Sequence, residues 1–134
     1  MTVVLLTDDL MVASRIEGAA RRSGVALKTC SDIETTATYC REHPVEQLIV
    51  DLSSRTGGIA AIIERFSTAA AERPPIIAFG PHVHDKLLAA AAAAGCEEVV
   101  SRGQFFAGLD ATFARLSQAT ARPVPGDQDP SPGG

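Results

Sequence analysis

Five short apolar runs, each followed by a stretch with helical spacing, recur along about 120 residues of this 134-residue chain, and that alternation restricts it to very few architectures. Val3 to Thr7 is the first run. It is continuous rather than alternating, the pattern of a strand buried on both faces. Asp8-Asp9 then opens a helical stretch to about Ser23, with Val12, Ile16, Ala19 and Ala20 at spacings of three and four, and Gly24 stops it. Val25 to Cys30 reads as a second strand. Ser31-Asp32-Ile33-Glu34 has capping-box form and starts a helix that ends near His43-Pro44. Gln47 to Asp51 is the third strand, followed by a loop from Leu52 to Gly58 and a helix carrying Ile59, Ile62, Ile63 and Phe66. After Pro74-Pro75, Ile76 to Phe79 forms a fourth strand. Gly80-Pro81 leads to a helix through Leu87, Leu88 and the alanines Ala89 to Ala94, which Gly95 ends. Glu98 to Ser101 is the fifth strand, and a last helix from Gln104 to Thr120 buries Phe105, Leu109, Phe113 and Leu116. Residues 1–120 therefore form one domain. Residues 121–134, rich in Pro and Gly and without apolar periodicity, are expected to be a disordered tail.

Repeated strand-helix units imply right-handed crossovers and a parallel sheet covered by helices on both sides. The expected fold is α/β: a flavodoxin-like doubly wound sheet of five βα units, strand order 2-1-3-4-5. Composition narrows the function classes. Charged residues are 21% and hydrophobic ones 46%, too apolar for a disordered chain and too evenly charged for a membrane protein. No run approaches the roughly 20 apolar residues of a membrane span, and the N-terminus lacks a basic signal-peptide region. A net charge of −4 with no basic run disfavours nucleic acid as a partner, and 4% aromatics without Trp disfavours a base-stacking surface. The three cysteines, Cys30, Cys40 and Cys96, have no CxxC spacing and read as reduced thiols of a cytoplasmic protein.

In a doubly wound sheet, ligands bind beyond the carboxyl ends of the strands, where the strand order reverses between the first and third strands. Asp8 and Asp9 follow the first strand there, Asp51 ends the third, Gly80 follows the fourth, and Ser101-Arg102 follow the fifth. Three carboxylates are expected to converge. Like charges repel, so such a group calls for a cation or a proton. An oxygen-only set suits Mg²⁺, with Asp8, Asp9 and Asp51 as ligands and Ser53 supplying a backbone carbonyl. Asp51 is then placed as a carboxylate nucleophile able to take a phosphoryl group.

Over residues 2–118 the sequence resembles the receiver domains of two-component response regulators. The resemblance rests on Asp8-Asp9 after the first strand, the aspartate closing Leu48-Ile49-Val50-Asp51, the Pro75-Ile76-Ile77 start of the fourth strand, and Gly95-Cys96-Glu97-Glu98-Val99-Val100-Ser101-Arg102. It implies a phosphorelay signalling domain rather than an enzyme, with Asp51 as phosphoacceptor, Mg²⁺ as cofactor and Arg102 as the cation pairing with the phosphoryl group. The implied partners are a histidine kinase or phosphotransfer protein and an output protein. With no output segment after residue 120, a stand-alone protein is expected to act by docking, by homodimerisation or by passing phosphate onward.

The departures from that family open a second reading. Its Ser or Thr after the fourth strand is Gly80 here, its lysine after the fifth is Arg102, the following proline is Gly103, and its switch aromatic falls on Val99. Arginine keeps the charge but not the compact ammonium. These changes fit a pseudo-receiver, a phosphorylation-independent protein-interaction module. Other motifs carry less. Ser53 to Gly58 lacks the spacing of a phosphate-binding loop, and His82 with His84 reads as helix entry rather than a metal clip.

Overall fold

The N-terminal apolar run becomes a strand because both of its faces are covered. The computed structural model describes residues 2–53, 59–67, 73–81 and 85–121. In β1 (Thr2–Leu6), Val3 and Leu5 enter one core while Val4 and Leu6 enter the other. The remaining elements are α1 (Leu10–Arg22), β2 (Leu27–Cys30), α2 (Ile33–Glu42), β3 (Val45–Asp51), α3 (Ile59–Ser67), β4 (Ile76–Gly80), α4 (Asp85–Ala93), β5 (Glu98–Ser101), α5 (Arg102–Ala107) and α6 (Leu109–Ala121). The strands form one sheet in the order β2-β1-β3-β4-β5, and each neighbouring pair is parallel. This is the flavodoxin-like order expected from the sequence.

One core packs Val12, Ile16 and Ala19 of α1, Phe105 of α5 and Phe113 of α6 against Leu5, Ile49 and Phe79 of the sheet. The other packs Ile59, Ile62 and Phe66 of α3 and Ala91 of α4 against Leu6, Leu48 and Val50. At about 1.5–3 kcal/mol for each fully buried Val, Leu, Ile or Phe, these two layers are the main favourable contribution to folding. Phe79 stacks on Phe105 with centroids 4.4 Å apart and planes 2° from parallel, joining β4 to α5.

Several boundaries differ from the sequence-based expectation, β2 among them, which begins at Leu27 rather than Val25. The N-cap of α2 is Asp32 rather than Ser31, and its carboxylate accepts from the Thr35 N–H at 2.7 Å. An ionised acceptor bonds the orphan N–H more strongly than a hydroxyl does. The expected last helix is two helices. Ser101 and Gln104 form a capping box that starts α5 at Arg102, and the chain breaks at Gly108 before α6. Glycine inside a helix costs about 1 kcal/mol relative to alanine, so the interruption falls where continuity is weakest. β3 also begins earlier than expected, at Val45. Buried Gln47 there donates its amide to the Pro75 carbonyl at 2.8 Å and holds the start of β3 to the chain entering β4. The loop residues 54–58, His82, His84 and the expected tail from residue 122 lie outside the described residues.

All three cysteines are free thiols. Burial first, and the nearby Cys30 second, push the Cys40 thiol up to about 11. The thiolate fraction at pH 8 is then roughly a hundredfold below that of a thiol at the ordinary value of 9.0. Iodoacetamide is expected to label Cys40 far more slowly in the native protein than in urea; equal rates in a mass-spectrometric time course would show that the thiol is not protected.

A second test concerns the amino ends of β4 and β5. Arg73 donates to Glu97 at 3.1 Å and to the Gly95 carbonyl at 2.9 Å, while Glu97 accepts from the N–H of buried Ile76 at 2.8 Å. Partial burial alone would raise the Glu97 carboxyl; the Ile76 N–H and the Arg73 guanidinium outweigh it and hold the group below its ordinary value of 4.5. Glu97→Ala is expected to cost about 1–2 kcal/mol in urea denaturation at neutral pH, because it strands the Ile76 donor. A lowered folded pKa stabilises above the unfolded value. The wild-type advantage should therefore shrink as pH drops below about 4.5 and vanish beneath the folded value. A difference that stays constant into strong acid contradicts the assignment.

Candidate functional site

The register of β1 against β3 decides which side chain meets Asp51. Leu6 pairs with Val50, so the next pair along sets Thr7 beside Asp51. Both residues are buried, with Asp51 only 2% exposed. The Thr7 hydroxyl donates to Asp51 Oδ2 at 2.8 Å and accepts from the Asp9 N–H at 3.1 Å. On the other carboxylate oxygen, Oδ1, the Ser53 hydroxyl donates at 2.6 Å and the Ser53 N–H at 3.0 Å. Two hydroxyls and one amide thus satisfy the buried charge.

The acids are distributed differently from the expected triad. Asp9 is the N-cap of α1: its Oδ1 accepts from the N–H groups of Met11 and Val12 at 2.9 and 3.2 Å. Its Oδ2 lies 4.0 Å from Arg102 Nη2. Asp8 is exposed beside it. Among the described residues no group of three or more His, Cys, Asp or Glu side chains could hold a metal ion. The N-terminus of α1 binds Asp9, and Thr7 and Ser53 bind Asp51. Oxygen donors are of the right kind for Mg²⁺. Both Asp51 oxygens and one Asp9 oxygen accept hydrogen bonds within the fold, and Asp51 Oδ2 and Asp9 Oδ2 keep lone pairs.

The remaining expected positions also have different neighbours. Gly80 ends β4, and a Cβ there would lie 3.3 Å from Leu52 Cβ and 3.7 Å from Leu88 Cδ2. A side chain there would press on Leu52 by a few tenths of an ångström and touch Leu88 at ordinary contact distance. Arg102 starts α5 and pairs with Asp9, its guanidinium carbon 5.9 Å from the Phe106 ring centre. Arg15 stacks over the same ring at 4.0 Å. Val99 packs against the α3–α4 core, and a Cβ on Gly103 would meet open space. Thr7, the Ser53 hydroxyl, Arg15 and Phe106 were not singled out as functional side chains from sequence. For Thr7 the available signal was a polar residue ending an otherwise apolar strand.

No family model and no curated protein matches the sequence. Solved structures do match, and many are receiver domains of response regulators. The signal receiver domain of a response regulator from Bermanella marisrubri superposes with a TM-score of 0.74 at 16% identity, covering 89% of this chain and 97% of that one. The receiver domain of NtrX from Brucella abortus gives 0.70 at 15% identity, covering 89% and 99%. The beryllofluoride-activated NtrC4 receiver domain dimer gives 0.67 at 14%, covering 85% and 97%. The chain has the receiver fold.

Thr7→Val keeps the shape and removes one donor from a buried carboxylate, and is expected to cost about 2–3 kcal/mol in urea denaturation. Ser53→Ala leaves the Ser53 N–H in place at an exposed position and should cost about 1 kcal/mol. Gly80→Ser must displace Leu52 and should cost about 1 kcal/mol or more. If Thr7→Val proves no more costly than Ser53→Ala, the Thr7 contact is not what satisfies Asp51.

Proposed function

We propose that this chain is a receiver-fold signalling module that works through protein contacts and does not depend on phosphorylation. The observation that carries this reading is the state of Asp51: buried, with both oxygens taken by Thr7 and Ser53. A nucleophilic carboxylate needs an oxygen free to attack and a cation to neutralise the incoming group. Here both oxygens accept hydrogen bonds from Thr7 and Ser53, and the expected cation, Arg102, has its Nη2 4.0 Å from Asp9. The Gly80 position adds support, because glycine has no hydroxyl to answer a phosphoryl group and a Cβ there would crowd Leu52 at 3.3 Å. Among the described residues no helix is long and apolar enough to cross a membrane.

A second reading keeps Asp51 as a phosphoacceptor supplied by a histidine kinase or phosphotransfer protein. It is favoured by the position of Asp51 at the carboxyl end of β3, on the rim where Asp9 and Arg102 also lie. With Mg²⁺ as cofactor it would use the lone pairs of Asp9 and Asp51 that their present hydrogen bonds leave. Intact-mass analysis after incubation with Mg²⁺ and acetyl phosphate separates the two. The expected result is no added phosphoryl group. An adduct on the wild type that disappears in Asp51→Asn would overturn the phosphorylation-independent reading and establish the second.

A further inference from the structure

α1 and β2 meet along a cleft of about 510 Å³ at the side of the sheet, above the lower limit of about 300 Å³ usual for small-molecule sites. Its floor is apolar. Ala20 and Val25 are buried there, and Leu27 packs against the α1-side core. Two side chains of opposite charge, Glu17 and Arg21, stand on its wall, four residues apart on α1 and both exposed. Such a spacing ordinarily favours an ion pair between the two. Here Glu17 reaches across to β2 instead, where its Oε2 accepts from the Thr29 hydroxyl at 3.0 Å. Among the described residues Arg21 has no hydrogen bond or ion pair.

The other charges nearby are engaged elsewhere. Lys28 borders the cleft, but its ammonium lies 5.7 Å from the ring centre of Tyr39, which packs on the α2 side. Arg22 donates to Asp110 of α6 at 2.8 Å. The outer border of the cleft is main chain. In a parallel ladder successive residues turn their backbone groups to opposite sides, and the carbonyls of Ala26 and Cys30 accept from the N–H groups of Val3 and Thr7, each at 3.0 Å. Residues 26, 28 and 30 therefore serve β1, and Leu27 and Thr29 direct their N–H and C=O groups outward, where among the described residues no strand meets them.

A ligand with one charge answers only half of this wall. A monoanion at Arg21 is opposed by Glu17, and an amine at Glu17 is opposed by Arg21. A molecule that carries an ammonium and a carboxylate on one carbon answers both, and an aliphatic substituent on that carbon covers the floor. We propose that the cleft between α1 and β2 binds a free aliphatic α-amino acid. The guanidinium of Arg21 takes the carboxylate through two parallel N–H bonds, the geometry for which its fork is built. Glu17 takes the ammonium with Oε1 and with the lone pair that Thr29 leaves on Oε2. The side chain lies against Ala20, Val25 and Leu27. A peptide is the poorer occupant, because amide bonds hold its two terminal charges apart. The site makes no use of Asp51 and stands under either reading of that residue.

The test is an amide NMR titration of the full chain with L-leucine, and in parallel with glycine, isocaproate and isoamylamine, which lack the side chain, the ammonium and the carboxylate in turn. Saturable shifts are expected at Glu17, Arg21 and residues 25–29, with a dissociation constant on the order of millimolar for so open a site. Each of the three analogues should bind roughly tenfold more weakly than leucine or worse. Glu17→Gln keeps an acceptor for Thr29 and removes the charge, and Arg21→Gln removes the cation; both are changes at exposed positions, and each should weaken leucine binding by a similar factor. The proposal is overturned by an absence of saturable shifts, by shifts that map elsewhere, by an analogue that binds as tightly as leucine, or by either variant binding leucine as the wild type does.

Discussion

Two-sided burial of the parallel strands is the constraint from which the other features follow. Val3, Val4, Leu5 and Leu6 are all fully buried, as are Leu48, Ile49, Ile76, Ala78 and Phe79 in the strands beside them. Helices must then lie on both faces, and the long crossovers between parallel strands supply them. Polar chemistry is excluded from the middle of the sheet. It gathers where strands end and backbone groups turn toward loops, and at the outer edges of the sheet.

Asp51 is where this constraint is under greatest strain. A carboxylate at the end of a buried strand has lost its water and must find donors, and Thr7 and Ser53 provide them from the adjacent strand and the following turn. The same contacts link three segments. Asp9 N–H bonds Thr7, Thr7 bonds Asp51, and Asp9 caps α1 while facing Arg102 at the start of α5. Leu52, one residue beyond Asp51, continues the ladder through its N–H to the Phe79 carbonyl at 2.8 Å and fills the space over Gly80. Among the described residues these contacts tie the carboxyl ends of β1, β3 and β4 together.

The outer edge of β2 is the contrasting case. The ladder satisfies one side of the strand, and among the described residues no strand meets the other side. Asp51 accepts from Thr7 and Ser53, whereas among the described residues no strand meets the outward backbone groups of Leu27 and Thr29.

The strand-helix alternation, the five strands and the positions of Asp51, Gly80 and Arg102 at strand ends were all legible in the chain, because apolar period and punctuation are local properties. Helix caps were legible only in kind. Asp32 replaced Ser31 through a one-residue competition for the same orphan N–H, and Gly108 divided a helix whose apolar stripe read as continuous. The site itself was legible only in outline. Three acids near one rim could be listed from sequence, but their partners depend on a register set forty-four residues apart, between Thr7 and Asp51. Sequence by itself determined the order of elements and which residues reach the carboxyl edge of the sheet. Tertiary structure alone decided that Thr7 rather than a second carboxylate meets Asp51, since hydrogen bonds act over about 3 Å and only packing brings such distant residues that close.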